Sequence, residues 1–225
     1  MADLKDITKH LFYSAWILTI VQLIRVAATT IIATNFQAMI LIADVAFDCS
    51  IILFGIGLIR LGKTFDNYTK WIFAPILLFI SAFLDILNII FTSTSFRESW
   101  TTEPLVFVNL TILICHGIVL VIGFLFLKFD IDYLAENKII ERKGQFFLAL
   151  GFLVNLAPSI IGWYGSYVGE SSFKLWQENL AFYIYLFATF LILLGFLGLA
   201  STMKLLQMWS HEKDSDIAEE EEDFV

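Results

Sequence analysis

The chain has 225 residues, of which 59% are hydrophobic and only 16% charged, and its mean hydropathy is +0.80. A soluble domain is nearer half apolar, so this excess points to a bilayer. The formal net charge of -8 belongs to one segment: Ser210 to Val225 carries eight acids and one base, -7, leaving -1 for the rest. An acidic tail on a nearly neutral body excludes a nucleic-acid partner.

The N-terminal Met-Ala-Asp-Leu-Lys-Asp leads into an apolar run too long for a signal-peptide core, so the first span is expected to be retained as an anchor. About 20 apolar residues cross a bilayer. Six stretches qualify, roughly 11–33, 36–60, 71–93, 104–128, 146–168 and 180–205. The first break, Thr34-Asn35, is so short that spans one and two must form a tight antiparallel hairpin. The expected fold is an all-α six-transmembrane-helix bundle built from three hairpins over residues 1–209, followed by a disordered acidic tail, 210–225. The loop Asp130 to Gly144 spaces Ile131, Leu134, Ile139 and Ile140 among charges, as a short helix lying on the membrane surface would.

Lysine and arginine set the orientation. With the N-terminus inside, the inner segments hold eleven bases, while the outer loops hold two, Arg97 and Lys174. Both termini are therefore expected in the cytoplasm. Trp71 and Trp209 then fall near the inner boundary, and Trp100 and Trp176 near the outer one, where interfacial tryptophans belong. The spacing Asp48, Gly55, Arg60 recurs as His116, Gly123, Lys128, and in part as Ala188, Gly195 and a delayed Lys204. Parallel hairpin repeats would produce it, as would the ordinary abundance of glycine in membrane helices and of bases at their inner ends.

Each span carries polar residues at helical spacing: Ser14, Gln22, Arg25 and Thr29; Asp44, Asp48 and Gly55; Ser81, Asp85, Asn88 and Thr92; Asn109, His116 and Gly123; Gly151, Asn155 and Ser159; Tyr185 and Thr189. Six helices with one polar face each should turn those faces inward. The span midpoints put Asp48, His116 and Asn155 at the midplane and Arg25, Asp44, Asp85 and Asn88 slightly outward of it. An unpaired charge there costs about 2.5–3.5 kcal/mol on insertion scales. Arg25 is always charged, and its expected partner is Asp44, since both lie about nine residues from the turn. That pair is a counter-ion for the layer or a salt bridge that fixes the bundle. Asp48 and Asp85 are then left over. Desolvation disfavours a lone carboxylate's charge, so such groups suit proton or cation carriage, or hydrogen-bond a neighbouring helix.

The ion- or solute-binding candidates are thus Asp44, Asp48, Asp85, His116, Asn88 and Asn155, with Arg25 as counter-ion. Imidazole and carboxylate suit a divalent metal, with Asp48, Asp85 and His116 as weak candidate ligands, though no ligand motif accompanies them. Pro158 is expected to kink the fifth span. Cys49 and Cys115 lie inside apolar spans and imply no disulfide framework. No mid-span lysine, second membrane histidine, Gly-x-Ser-x-Gly, His-Glu-x-x-His or phosphate-binding loop is present, so no cofactor and no enzyme chemistry is expected. The expected function is a small multi-pass transporter or channel for a proton-coupled or cationic solute. The alternatives are a non-catalytic subunit or scaffold of a membrane complex, with the acidic tail docking a protein partner, or a membrane sensor signalling through its loop and tail.

Overall fold

The computed structural model describes residues 4–30, 37–64, 71–92, 103–136 and 144–168 and 175–222. It contains six helices: α1 (Leu4–Thr30), α2 (Gln37–Thr64), α3 (Phe73–Thr92), α4 (Glu103–Glu136), α5 (Gln145–Val168) and α6 (Leu175–Glu222). Two of the three prolines, Pro75 and Pro104, stand in the first turns of α3 and α4, where a missing N–H costs no helical hydrogen bond. The third, Pro158, lies inside α5. At the start of α5, Gly144 takes φ +79° and its carbonyl accepts from Phe147 N (3.0 Å) and Leu148 N (3.3 Å). Only glycine adopts that φ without strain.

Five helices contain stretches long and apolar enough to cross a membrane: Leu4–Ala27, Leu41–Thr64, Phe73–Ile90, Leu110–Ile131 and Leu180–His211. α5 contributes the shorter apolar stretch Phe146–Ile161. Large apolar side chains such as Ile20, Leu23, Ile42, Phe83 and Leu194 are exposed on the outside of the bundle. Helices that are apolar on both faces suit a lipid environment, and the chain has the make-up of a multi-pass helical membrane protein.

The helices form a closed ring. Each packs against its neighbours in sequence, and α6 returns to pack against α1. Every adjacent pair runs antiparallel. The start of α1 meets the end of α6 through Thr8 Oγ1 and Ser210 Oγ, 2.9 Å apart and buried. Further along, Gln22 Nε2 donates to Thr189 O at 3.2 Å. The end at which α1, α3 and α5 begin is called basal below, and the opposite end distal. The apolar core fills the basal half with Ile7, Leu11, Leu61, Trp71, Leu78, Leu127, Leu148, Leu199 and Leu206.

Glycines let these helices approach closely. A methyl group on Gly55 would collide with the Phe79 ring, and one on Gly123 would reach Leu77 Cβ at 3.3 Å, so α3 beds against notches in both α2 and α4. On α6, a methyl at Gly195 would lie 2.6 Å from Leu148 N of α5. The recurring glycines therefore serve different neighbours: Gly55 faces the following helix, Gly123 and Gly195 the preceding one. Their common spacing does not reflect a common packing geometry.

Three expectations change. Trp71 is buried, with Gly62 giving it room, and belongs to the core rather than to an interfacial belt. Trp209 packs partly buried against the same core, while Trp100 and the side chain of Trp176 lie outside the described residues. Residues 130–136 continue α4 instead of starting a separate surface helix, and 137–143 are outside the described residues. The acidic segment from Ser210 also runs on as part of α6 to Glu222. Its Glu, Ala and Lys residues are good helix formers, and an existing helix needs no new nucleus to extend.

The two kinds of glycine notch differ in what yields. Gly195→Ala pushes against backbone and should lower stability by about 1–3 kcal/mol, read as a fall in unfolding temperature in detergent. Gly123→Ala meets only side chains at 3.3 Å or more, and should cost distinctly less in the same measurement.

Candidate functional site

The polar residues of five helices meet in one layer, distal to the apolar core. α1 supplies Gln22 and Arg25, one turn apart on the same face. Arg25 Nη2 lies 2.7 Å from Asp44 Oδ1 on α2, the partner that the short first turn predicts. The two side chains are 23% and 21% exposed. Arg25 also sits over the Phe47 ring, with Cζ 4.9 Å from the centroid, a distance at which a cation and a ring face attract.

Asp48 is one turn along α2 from Asp44 and only 1% exposed. Neither of its carboxylate oxygens has a hydrogen-bond partner among the described residues. Its electrostatic neighbours are Asp85, Arg25 and Asp44. Asp85, on α3, is buried, and its charge acts on Arg25, Asp44 and Asp48 alike. Asp44 pairs directly with Arg25, and Asp48 and Asp85 lie near enough for electrostatic interaction with that pair.

His116 enters from α4 and is half-buried. Its Nδ1 is 3.0 Å from Ser81 O and 3.1 Å from Ser81 Oγ, on α3. A backbone carbonyl only accepts, so Nδ1 carries a proton, and in the neutral ring Nε2 is left as an acceptor. On α6, Thr189 Oγ1 donates to Tyr185 O at 2.6 Å.

The remaining candidates sit at the margin. Asn88 is half-buried on α3, one turn distal to Asp85. Asn155, on α5, is half-buried with Oδ1 lacking a hydrogen-bond partner among the described residues. Its neighbour in sequence, Leu156, packs on Gly117 next to His116, which sets Asn155 level with the histidine. Among the described residues, no three His, Cys, Asp or Glu side chains gather as a metal-ligating group, so Asp48, Asp85 and His116 do not form one. Gln22, Ser81, Tyr185 and Thr189 stand in the layer beside the charged residues. All four lie on the polar faces read from helical spacing, and that spacing was the signal for them.

The layer has an aromatic floor. Phe47, Phe124, Phe152 and Phe196 come from α2, α4, α5 and α6 and are all buried. Phe124 and Phe152 stack with centroids 5.2 Å apart and planes within 2°. Phe196 meets Phe47 and Phe124 at 5.9 Å each, and Phe152 at 6.3 Å, edge to face. These rings join helices that are not neighbours in the ring. On α4, α5 and α6 each phenylalanine stands basal to that helix's own polar residue, His116, Asn155 or Thr189. On α2, Phe47 stands one residue distal to Asp48, so the rings bridge the bundle level with Asp48 and beneath the polar groups of α4, α5 and α6.

Comparison with protein-family models, with curated proteins and with solved structures finds no match for this chain.

Removing one partner of the Arg25–Asp44 pair leaves a half-buried charge uncompensated. Arg25→Gln and Asp44→Asn should each lower the unfolding temperature. The double variant should be more stable than the sum of the two losses implies, by a coupling of about 1 kcal/mol or more. A thermodynamic cycle in detergent measures it, and additive losses would show that the pair contributes no net coupling.

Proposed function

We propose that this chain is a small transporter or channel for a proton-coupled or cationic solute, crossing the membrane six times with both termini in the cytoplasm. α5 supplies the sixth crossing in this reading. The orientation draws on the eleven bases of the inner segments against two in the outer loops. It makes the basal end cytoplasmic.

The observation that carries the reading is Asp48. A carboxyl group that is 1% exposed and lacks a hydrogen-bond partner for either oxygen among the described residues is costly in an apolar bundle. A group of that kind is maintained where it binds something. Asp48 and Asp85 carry the charge. The Arg25–Asp44 pair is the counter-ion and keeps the layer from accumulating unbalanced negative charge. His116 Nε2 is an accessory proton acceptor, and Asn88 and Asn155 line the approach. The phenylalanine floor and the packed core beneath it correspond to a state closed on the basal side.

The same packed basal half also favours a second reading, a sensor that binds a ligand in the polar layer and passes the signal through the core to α6. Flux separates the two. Purified protein in liposomes should move protons or cations down an imposed gradient, and Asp48→Asn should abolish that flux while leaving the protein folded. Equal flux in wild type and variant would remove Asp48 from the pathway. Absence of flux in both, over a panel of ions and pH gradients, would leave the sensor.

A further inference from the structure

Several buried oxygens of the polar layer lack a hydrogen-bond donor among the described residues. Gln22 is 2% exposed, and its Nε2 donates to the Thr189 carbonyl. That partner cannot donate, so the amide orientation is fixed and Oε1 is the atom left to accept. Gln22 Oε1 has no hydrogen-bond partner among the described residues, and neither does either oxygen of Asp48. Asn155 Oδ1, level with His116, is in the same position. His116 commits Nδ1 to Ser81 and offers Nε2 as an acceptor in its neutral form. These groups come from α1, α2, α4 and α5, and each accepts. Three carboxyl groups, Asp44, Asp48 and Asp85, stand in the layer, and only Asp44 forms an ion pair with Arg25 among the described residues.

We propose that the layer between Asp48, Asp85 and Gln22 is a binding site for a small organic ammonium ion, whose N–H groups donate to the Asp48 carboxylate and to Gln22 Oε1. The inference deepens the transport reading and rests on it for the use of the site. A primary ammonium brings one positive charge and three N–H donors on one nitrogen, which is what a buried set of acceptors and carboxyl groups lacks. A metal ion fits less well, since the described His, Cys, Asp and Glu side chains do not converge in threes. The layer already seats one nitrogen cation on an aromatic face, Arg25 over Phe47. The phenylalanine floor gives the carbon portion of an amine an apolar surface.

Binding is measured on the purified full chain in lipid nanodiscs, by calorimetry and by the shift of unfolding temperature. The probes are methylammonium, tetramethylammonium and potassium chlorides at equal ionic strength. Methylammonium should give a saturable shift. Tetramethylammonium, with the same charge and no N–H, and potassium should give none. Asp48→Asn should weaken methylammonium binding by about tenfold or more, the usual scale for a hydrogen bond to a charged group. Gln22→Leu carries no change of charge and should weaken it several-fold, which keeps the test decisive if Asp48→Asn misfolds. The inference is overturned if methylammonium does not saturate, if potassium or tetramethylammonium matches it, or if both variants bind as wild type does. Proton flux without ammonium binding would overturn this inference and leave transport standing. Ammonium binding without any flux would uphold the site and overturn transport.

Discussion

The packing of α6 on α1 closes the ring, and the burial of Thr8, Gln22, Thr189 and Ser210 follows from that closure. The contacts that make it are far apart in sequence. Thr8 and Ser210 are 202 residues apart, Gln22 and Thr189 167 residues apart. In lipid, apolar side chains gain little by leaving their surroundings, so helices associate through close packing and hydrogen bonds between them. Both are present along the α1–α6 seam. With the ring closed, the polar faces of five helices converge instead of facing lipid, and charges that are costly one by one come to share a counter-ion.

The bundle divides along its length. Its basal half is close-packed, with glycine notches bringing α3 against α2 and α4, and α6 against α5. Arg25, Asp44, Asp48, Asp85 and His116 lie toward the distal end, while Thr8, Asp130, Thr202 and Ser210 are buried in the basal half. The phenylalanine rings are the boundary, and they link helices that otherwise meet only through their neighbours. Phe47 belongs to both halves: it touches Phe152 and Phe196 on one side and carries Arg25 on the other. Arg25 is thus joined through Phe47 to the ring cluster.

Local readings succeeded where chain connectivity limits the geometry. Arg25 and Asp44 flank a break too short to allow any arrangement but an antiparallel hairpin, so equal distance from the turn identified the pair. Helical spacing likewise put Ser81 and Asp85, or Tyr185 and Thr189, on one face. Readings that relied on composition near the ends of spans fared less well. Trp71 looks interfacial beside Lys70, yet Gly62 opens a recess for it across α2. The charged stretches after Lys128 and after Trp209 look like breaks, yet α4 continues to Glu136 and α6 to Glu222.

The sequence by itself determined that the chain is helical and built of long apolar segments, which residues interrupt that apolarity, and that Arg25 would find Asp44. Those properties are set by hydropathy, by the helical repeat and by a tight turn, all of which act over short distances along the chain. Only the tertiary structure decided that the helices close into a ring, that Asp48 is buried without a hydrogen-bonding partner among the described residues, that His116 is tied to Ser81, and that four phenylalanines from four helices meet in one cluster. Each depends on the rotation of one helix against another, and that rotation is fixed by packing between side chains that no local pattern brings together.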